Sequence, residues 1–196
     1  MKKIKVCIVV GTRPEIIRLS EIIKKIDKYF ELILVNTNQN NDHNLNKIFF
    51  KDLGIKKPNY EMKKNNFKSS MDFISENLKF IDGIIKKTKP DAFLVLGDTN
   101  SALSAISAKK NKIPIFHLEA GNRCFNQETP EETNRKIVDH LADINLTYSD
   151  FARNNLIKEG LSQNVIFKLG SPLAEVFYKN KSKILNNKFI LKNKLE

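Results

Sequence analysis

Apolar residues in this chain fall in short continuous runs, and between them the apolar positions recur at helical spacing. Residues 4–10 form one such run, broken only by Lys5, as expected of a strand buried on both faces. Shorter runs at 32–35, 92–96, 113–117, 144–147 and 165–169 read the same way. After the first run, Ile16, Ile17, Leu19, Ile22, Ile23 and Ile26 trace one face of a helix. Helical spacing returns over 45–53, where Gly54 is a natural stop, and over 69–87, which ends at Lys89-Pro90. Further helices are expected through Ala108 and over 129–142 and 150–158, with another starting at 173–178. Residues 36–44 read as a polar loop, and 56–68 as a basic, irregular and mobile segment. Strands alternating with helices, without internal repeat, predict an α/β fold: a Rossmann-like doubly wound parallel sheet. Residues 1–170 fit one domain; 171–196 read as a hinge and the truncated start of a second.

Composition narrows the partners. A chain of 196 residues with 41% hydrophobic content can fill one such core. Its formal net charge of +12 invites a nucleic-acid reading. The lysines, however, are spread along the whole chain among asparagines and isoleucines, with no arginine-rich run and no aromatic interleaving, so no nucleic-acid partner is expected. Two cysteines make no disulfide framework: Cys7 lies in the first strand as a small buried hydrophobe, and Cys124 lies in a loop. The first apolar run is too short for a signal segment, and no stretch reaches membrane-span length, so a soluble cytoplasmic protein without membrane association is expected. His43 and His140 lack metal-like spacing to any other ligand type, and no nucleophile triad is apparent.

The candidate chemistry lies where strands end. In an open α/β sheet, ligands bind beyond the carboxyl ends of the strands. Gly11-Thr12-Arg13-Pro14-Glu15 is the first strand-to-helix turn, where backbone N–H groups and the helix dipole can face a phosphate and Arg13 adds a forked donor. With one glycine it is neither a dinucleotide fingerprint nor a P-loop. Thr12 and Glu15 also fit a capping box. Asp98 follows Gly97 at a strand end and is either a helix cap, unless Asn100 or Ser101 caps instead, or a site carboxylate. Glu119 follows an apolar strand with no cap role available. His117, alternating with apolar neighbours, reads as a satisfied core histidine. Thr129, Pro130 and Glu132 form a capping-box pattern, which leaves Glu131 free, with Arg135 four residues on: a surface ion pair, or a site carboxylate held by an arginine.

Four stretches in register carry a resemblance: Val10-Gly11-Thr12-Arg13-Pro14-Glu15, Gly97-Asp98-Thr99, His117-Leu118-Glu119-Ala120-Gly121 and Pro130-Glu131-Glu132-Thr133-Asn134-Arg135. Together, over residues 4–175, the chain resembles the non-hydrolysing UDP-N-acetylhexosamine 2-epimerases. The resemblance implies the N-terminal half of a glycosyltransferase-B-like fold and a homodimer in full-length form. It also implies C2 inversion of a UDP-sugar by elimination and re-addition of UDP, without a redox cofactor or metal. By position, Asp98, Glu119 and Glu131 match the family's acidic site residues and Arg13 its substrate-contacting arginine, while Arg18 stands where many members carry lysine. Asn122, Cys124, Phe125 and Gln127 look like the branch that makes UDP-N-acetyl-L-fucosamine from UDP-2-acetamido-2,6-dideoxy-L-talose for capsule or O-antigen synthesis. The alternatives are the UDP-GlcNAc/UDP-ManNAc reaction, a glycosyltransferase or hydrolysing epimerase of similar fold, and a non-catalytic nucleotide-sugar-binding half. The chain is about half the expected length, and the missing half would supply most of the uridine and diphosphate pocket. The fragment alone is therefore expected to be inactive and to bind UDP-sugar weakly.

Overall fold

The computed structural model describes residues 3–40, 43–63 and 65–186, and the side chains of residues 43–47 lie outside the description. Seven strands run in chain order: β1 (Lys5–Val10), β2 (Glu31–Asn36), β3 (Tyr60–Glu61), β4 (Ala92–Leu96), β5 (Ile115–Leu118), β6 (Ile144–Thr147) and β7 (Ile166–Lys168). The helices are α1 (Arg13–Tyr29), α2 (His43–Asp52), α3 (Ser70–Thr88), α4 (Ala105–Lys110), α5 (Pro130–Leu141), α6 (Asp150–Lys158) and α7 (Leu173–Leu185). The sheet is wholly parallel, in the order β3-β2-β1-β4-β5-β6-β7.

Both sheet faces are buried, which is why the strands read as unbroken apolar runs. Alternation along β1 sends Cys7 and Val9 to one face, with Ile33, Val35, Phe93 and Val95, against Ile81, Ile84 and Ile85 of α3. Val6, Ile8 and Val10 go to the other, with Leu32, Leu34, Leu94 and Leu96, against Ile16, Leu19 and Ile23 of α1. Ser69 and Asp72 close a capping box on α3, and Lys89, left-handed at φ 49°, ends it before Pro90. α7 returns to α1, where Lys25 Nζ lies 2.8 Å from Glu175 Oε1 and Val176 is buried.

The irregular segment expected at 56–68 is corrected in one respect. Tyr60 and Glu61 pair with Val35 and Asn36 as the edge strand β3, and Met62 is buried behind it. Two residues are too few to show a period, so the pattern left no trace of this strand. The polar loop expected at 36–44 includes residues 41 and 42, and the segment expected as a hinge and the start of a second domain includes 187–196; these lie outside the described residues. Among the described residues no helix is long and apolar enough to cross a membrane.

Candidate functional site

The strand order reverses beside β1, which sits between β2 and β4. Loops leaving the two sides of such a switch point diverge and open a crevice. Here it is a cleft of about 800 Å³, lined by Arg18 of α1, Gln39 after β2, Asp98 after β4, Glu119 after β5 and Glu131 and Asn134 of α5. The three acidic residues expected from the sequence thus share one cleft, together with Arg18. Arg13 does not line it; its side chain is exposed at the first residue of α1.

The first turn differs from the expectation of an open phosphate cradle. Glu15 is buried, and its Oε2 accepts the Gly11 and Thr12 N–H groups at 2.7 Å each, so these donors are already taken. Its other oxygen accepts the Thr99 hydroxyl at 2.7 Å, tying the β1 and β4 loops together. Burial pushes the Glu15 carboxyl up, against the bonds from Thr99, Gly11 and Thr12 that pull it down. Close approach explains Gly11: a Cβ there would lie 2.0 Å from Ser101 Oγ and 2.3 Å from Thr37 Oγ1, which are hydrogen-bonded to each other at 2.7 Å.

The ion pairs on α5 are also corrected. The Arg135 guanidinium pairs with Asp98 and, at 2.7 Å, with Glu132, not with Glu131. Glu132 forms no capping box with Thr129, whose side chain makes no cap bond. It turns inward, fully buried, and accepts the Cys124 N–H at 3.1 Å. Helical phase had placed Arg135 beside Glu131, but the buried carboxylate and the β4 loop offered it better partners. Asp98 makes no cap bond; Ser101, one of the expected substitutes, stands at the N-cap of a short 3-10 turn at Ala102–Ser104, but its side chain makes no cap bond there. Ser101 bonds to Thr37 and Gln39, and Asn100 accepts from Asn134 at 2.9 Å. Glu119 pairs with Arg18 and accepts from Asn122 at 3.3 Å. Glu131 is exposed to the cleft and has no cationic partner among the described residues.

His117 is buried, as expected. Tyr148, at the end of β6, was not singled out by sequence. Its hydroxyl is buried without a hydrogen-bond partner among the described residues. Burial raises the phenol above its usual range, and the nearby Glu119 carboxylate adds to this. A tyrosine after a strand gives no sequence signal of that proximity. Cys7 is buried and Cys124 exposed, both as free thiols. No group of three potential ligands for a metal occurs among the described residues.

Glu132 gives a test of this electrostatic arrangement. Burial works to raise its carboxyl, but the bonds from Cys124 and Arg135 prevail and hold it below the usual range. A depressed folded value means that its contribution to stability is present above about pH 4.3 and is lost as pH falls through that lower value. Glu132→Gln should therefore lose about 1.5–3 kcal/mol at pH 7, with the gap to wild type narrowing in acid. Urea melts at several pH values check this; a gap that is constant with pH contradicts it.

The fold and the cleft define an α/β domain of the doubly wound class, with its candidate site at the switch point. The model of the UDP-N-acetylglucosamine 2-epimerase family matches residues 24–195, and the chain belongs to that family. A UDP-N-acetylglucosamine 2-epimerase of Methanococcus maripaludis is 40% identical over 179 residues, covering 90% of this chain and 48% of that protein. A UDP-2,3-diacetamido-2,3-dideoxy-D-glucuronate 2-epimerase of Pseudomonas aeruginosa is 39% identical over 162 residues, covering 81% and 46%. The structure of a UDP-N-acetylglucosamine 2-epimerase from Rickettsia bellii superposes with a TM-score of 0.90 at 47% identity, covering 99% of this chain and 52% of that one. The Methanocaldococcus jannaschii UDP-GlcNAc 2-epimerase, solved with UDP-GlcNAc and UDP, gives a TM-score of 0.90 at 34% identity, covering 96% and 52%. A lipopolysaccharide outer core galactosyltransferase, at 15% identity and a TM-score of 0.59, shares the fold alone. The chain spans about half the length of the relatives it matches.

Proposed function

We propose that this chain forms one wall of a UDP-N-acetylhexosamine 2-epimerase site, with residues 171–196 leading into the domain that forms the other wall. The observation that carries the reading is the convergence of Asp98, Glu119 and Glu131, from three separate segments, on one switch-point cleft. Inversion at C2 requires a proton to leave that carbon and return on the other face. Elimination of UDP makes this feasible: as the anomeric C–O bond breaks, positive charge builds on the ring and negative charge on the departing diphosphate. Glu131, exposed and without a cation beside it among the described residues, is suited to moving the C2 proton. Asp98 and Glu119 oppose the ring charge, and Arg135 and Arg18 keep these two carboxylates compensated in the resting cleft. Arg18 and Arg13 are the cations that this half offers to the diphosphate. With the β1 turn already filled by Glu15, most diphosphate contacts fall to the second domain.

Within this reading, the substrate is UDP-2-acetamido-2,6-dideoxy-L-talose, inverted to UDP-N-acetyl-L-fucosamine for capsule or O-antigen synthesis. Asn122, one of the residues behind that preference, hydrogen-bonds Glu119 at the cleft. The P. aeruginosa relative, named for another modified UDP-sugar, supports a family in which the sugar varies. The full-length protein is proposed to act in the cytoplasm as a homodimer. The test offers both UDP-sugars to a fusion of residues 1–196 with the second half of the M. maripaludis relative and follows C2 inversion by NMR. Faster turnover of the talose sugar is expected. Turnover of UDP-GlcNAc alone removes the finer assignment, and release of free ManNAc would signal hydrolysis instead. The 196-residue chain alone is expected to bind UDP-sugar weakly and to turn over neither.

A further inference from the structure

Beneath the cleft lies a buried polar cluster that none of the proposed chemistry uses. Asp139 of α5 is fully buried; it hydrogen-bonds Gly121 and Arg123 of the loop after β5, and the His117 ring of β5 lies beside it. Its two oxygens each accept the Gly121 N–H at 3.2 Å, Arg123 Nη1 donates to Oδ2 at 2.7 Å, and His117 Nδ1 lies 2.8 Å from Oδ1. Arg123 is fixed on its other side by a forked pair with Glu159, at 2.7 and 2.6 Å. The far nitrogen of His117, Nε2, lies 2.8 Å from the Gly97 carbonyl oxygen. A carbonyl only accepts, so Nε2 is the donor.

Both ends of this cluster reach a cleft carboxylate. The Gly97 carbonyl belongs to the peptide that enters Asp98. Gly121 lies two residues after Glu119, which sits at φ 66°, a left-handed conformation uncommon for a residue other than glycine. Such a conformation persists only where its surroundings hold it. Here the Gly121 N–H is held by Asp139, and its carbonyl accepts from Asn155 at 2.9 Å. Neither His117 nor Asp139 lines the cleft. We propose that His117 and Asp139 are positioning residues that hold the Asp98 and Glu119 loops in one arrangement from below. The inference deepens the proposed function and rests on it for the importance of the two carboxylates, but its geometry can be tested without ligand.

The experiment is amide NMR with hydrogen exchange on the ¹⁵N-labelled 196-residue chain, free of ligand. His117→Phe removes the donor to Gly97; the Gly97 and Asp98 amides should shift and exchange about tenfold faster, the effect of one lost hydrogen bond. His117→Gln retains a donor at that reach and should restore both signals, a rescue that a merely space-filling role would not give. Asp139→Asn should raise exchange about tenfold at Gly121, and the disturbance should reach Asp98. Wild-type Gly97 and Asp98 signals in His117→Phe overturn the inference, as does failure of His117→Gln to restore them. Should the phenylalanine variant not fold, Asp139→Asn decides: an effect reaching Asp98 supports the coupling, and one confined to Gly121 overturns it. Turnover assays on the fusion of residues 1–196 with the second half of the M. maripaludis relative separate the two ideas, because absence of C2 inversion with either UDP-sugar counts against the function while leaving the ligand-free result intact.

Discussion

Replacing Glu131 with glutamine should cut turnover of the fused full-length protein by at least ~10²-fold, the usual range for a lost general acid or base. The substitution keeps the size of the side chain but removes its charge and its ability to carry a proton. Because Glu131 is exposed and makes no ion pair among the described residues, the fold should not suffer, and the melting temperature should match wild type. Asp98→Asn and Glu119→Gln should lower turnover comparably, but with loss of stability, since each breaks a pair with Arg135 or Arg18. Turnover and thermal melts measured together distinguish the cases. Near-normal turnover in Glu131→Gln would remove that residue from the mechanism.

Gly121→Ala should be among the most damaging single substitutions to the fold. Gly121 has φ 78°, and a Cβ there would lie 2.2 Å from the Ala152 carbonyl oxygen and 2.9 Å from Leu156 Cγ. The backbone penalty and the overpacking together amount to ~2–5 kcal/mol. Gly160→Ala is the control: its φ is 91°, but the added Cβ meets open space, so only the backbone penalty of ~1–2 kcal/mol applies. Urea denaturation of both variants measures the difference. Equal losses would mean that the β5 turn gives way without strain on α6, and the close packing described for it would be wrong.

Much of the fold was legible because a sheet buried on both faces leaves unbroken apolar runs, and the bounds of β4 and β6 follow from them. The gathering of Asp98, Glu119 and Glu131 was legible for a related reason: in a parallel sheet the loops after the strands share one edge. Side-chain partners were not. Helical phase put Arg135 beside Glu131, yet its partner Asp98 lies on the β4 loop, 37 residues earlier in the chain. Capping rules assigned Glu132 to a box with Thr129 at the helix start, whereas the N–H of Cys124 and the charge of Arg135 drew it inside. Glu15 met its expected bond to the helix start, but filling the turn's N–H groups removed the phosphate cradle read from the same motif. The His117–Asp139 cluster spans two elements, and nothing in the local sequence of either announces it.

The most direct test of the central claim is deuterium incorporation at C2 of the UDP-sugar, followed by NMR in D₂O, with the fused full-length protein. Exchange at C2 accompanied by inversion, and lost in Glu131→Gln, is the predicted result. Binding of the UDP-sugar in the cleft without any exchange at C2 would contradict it.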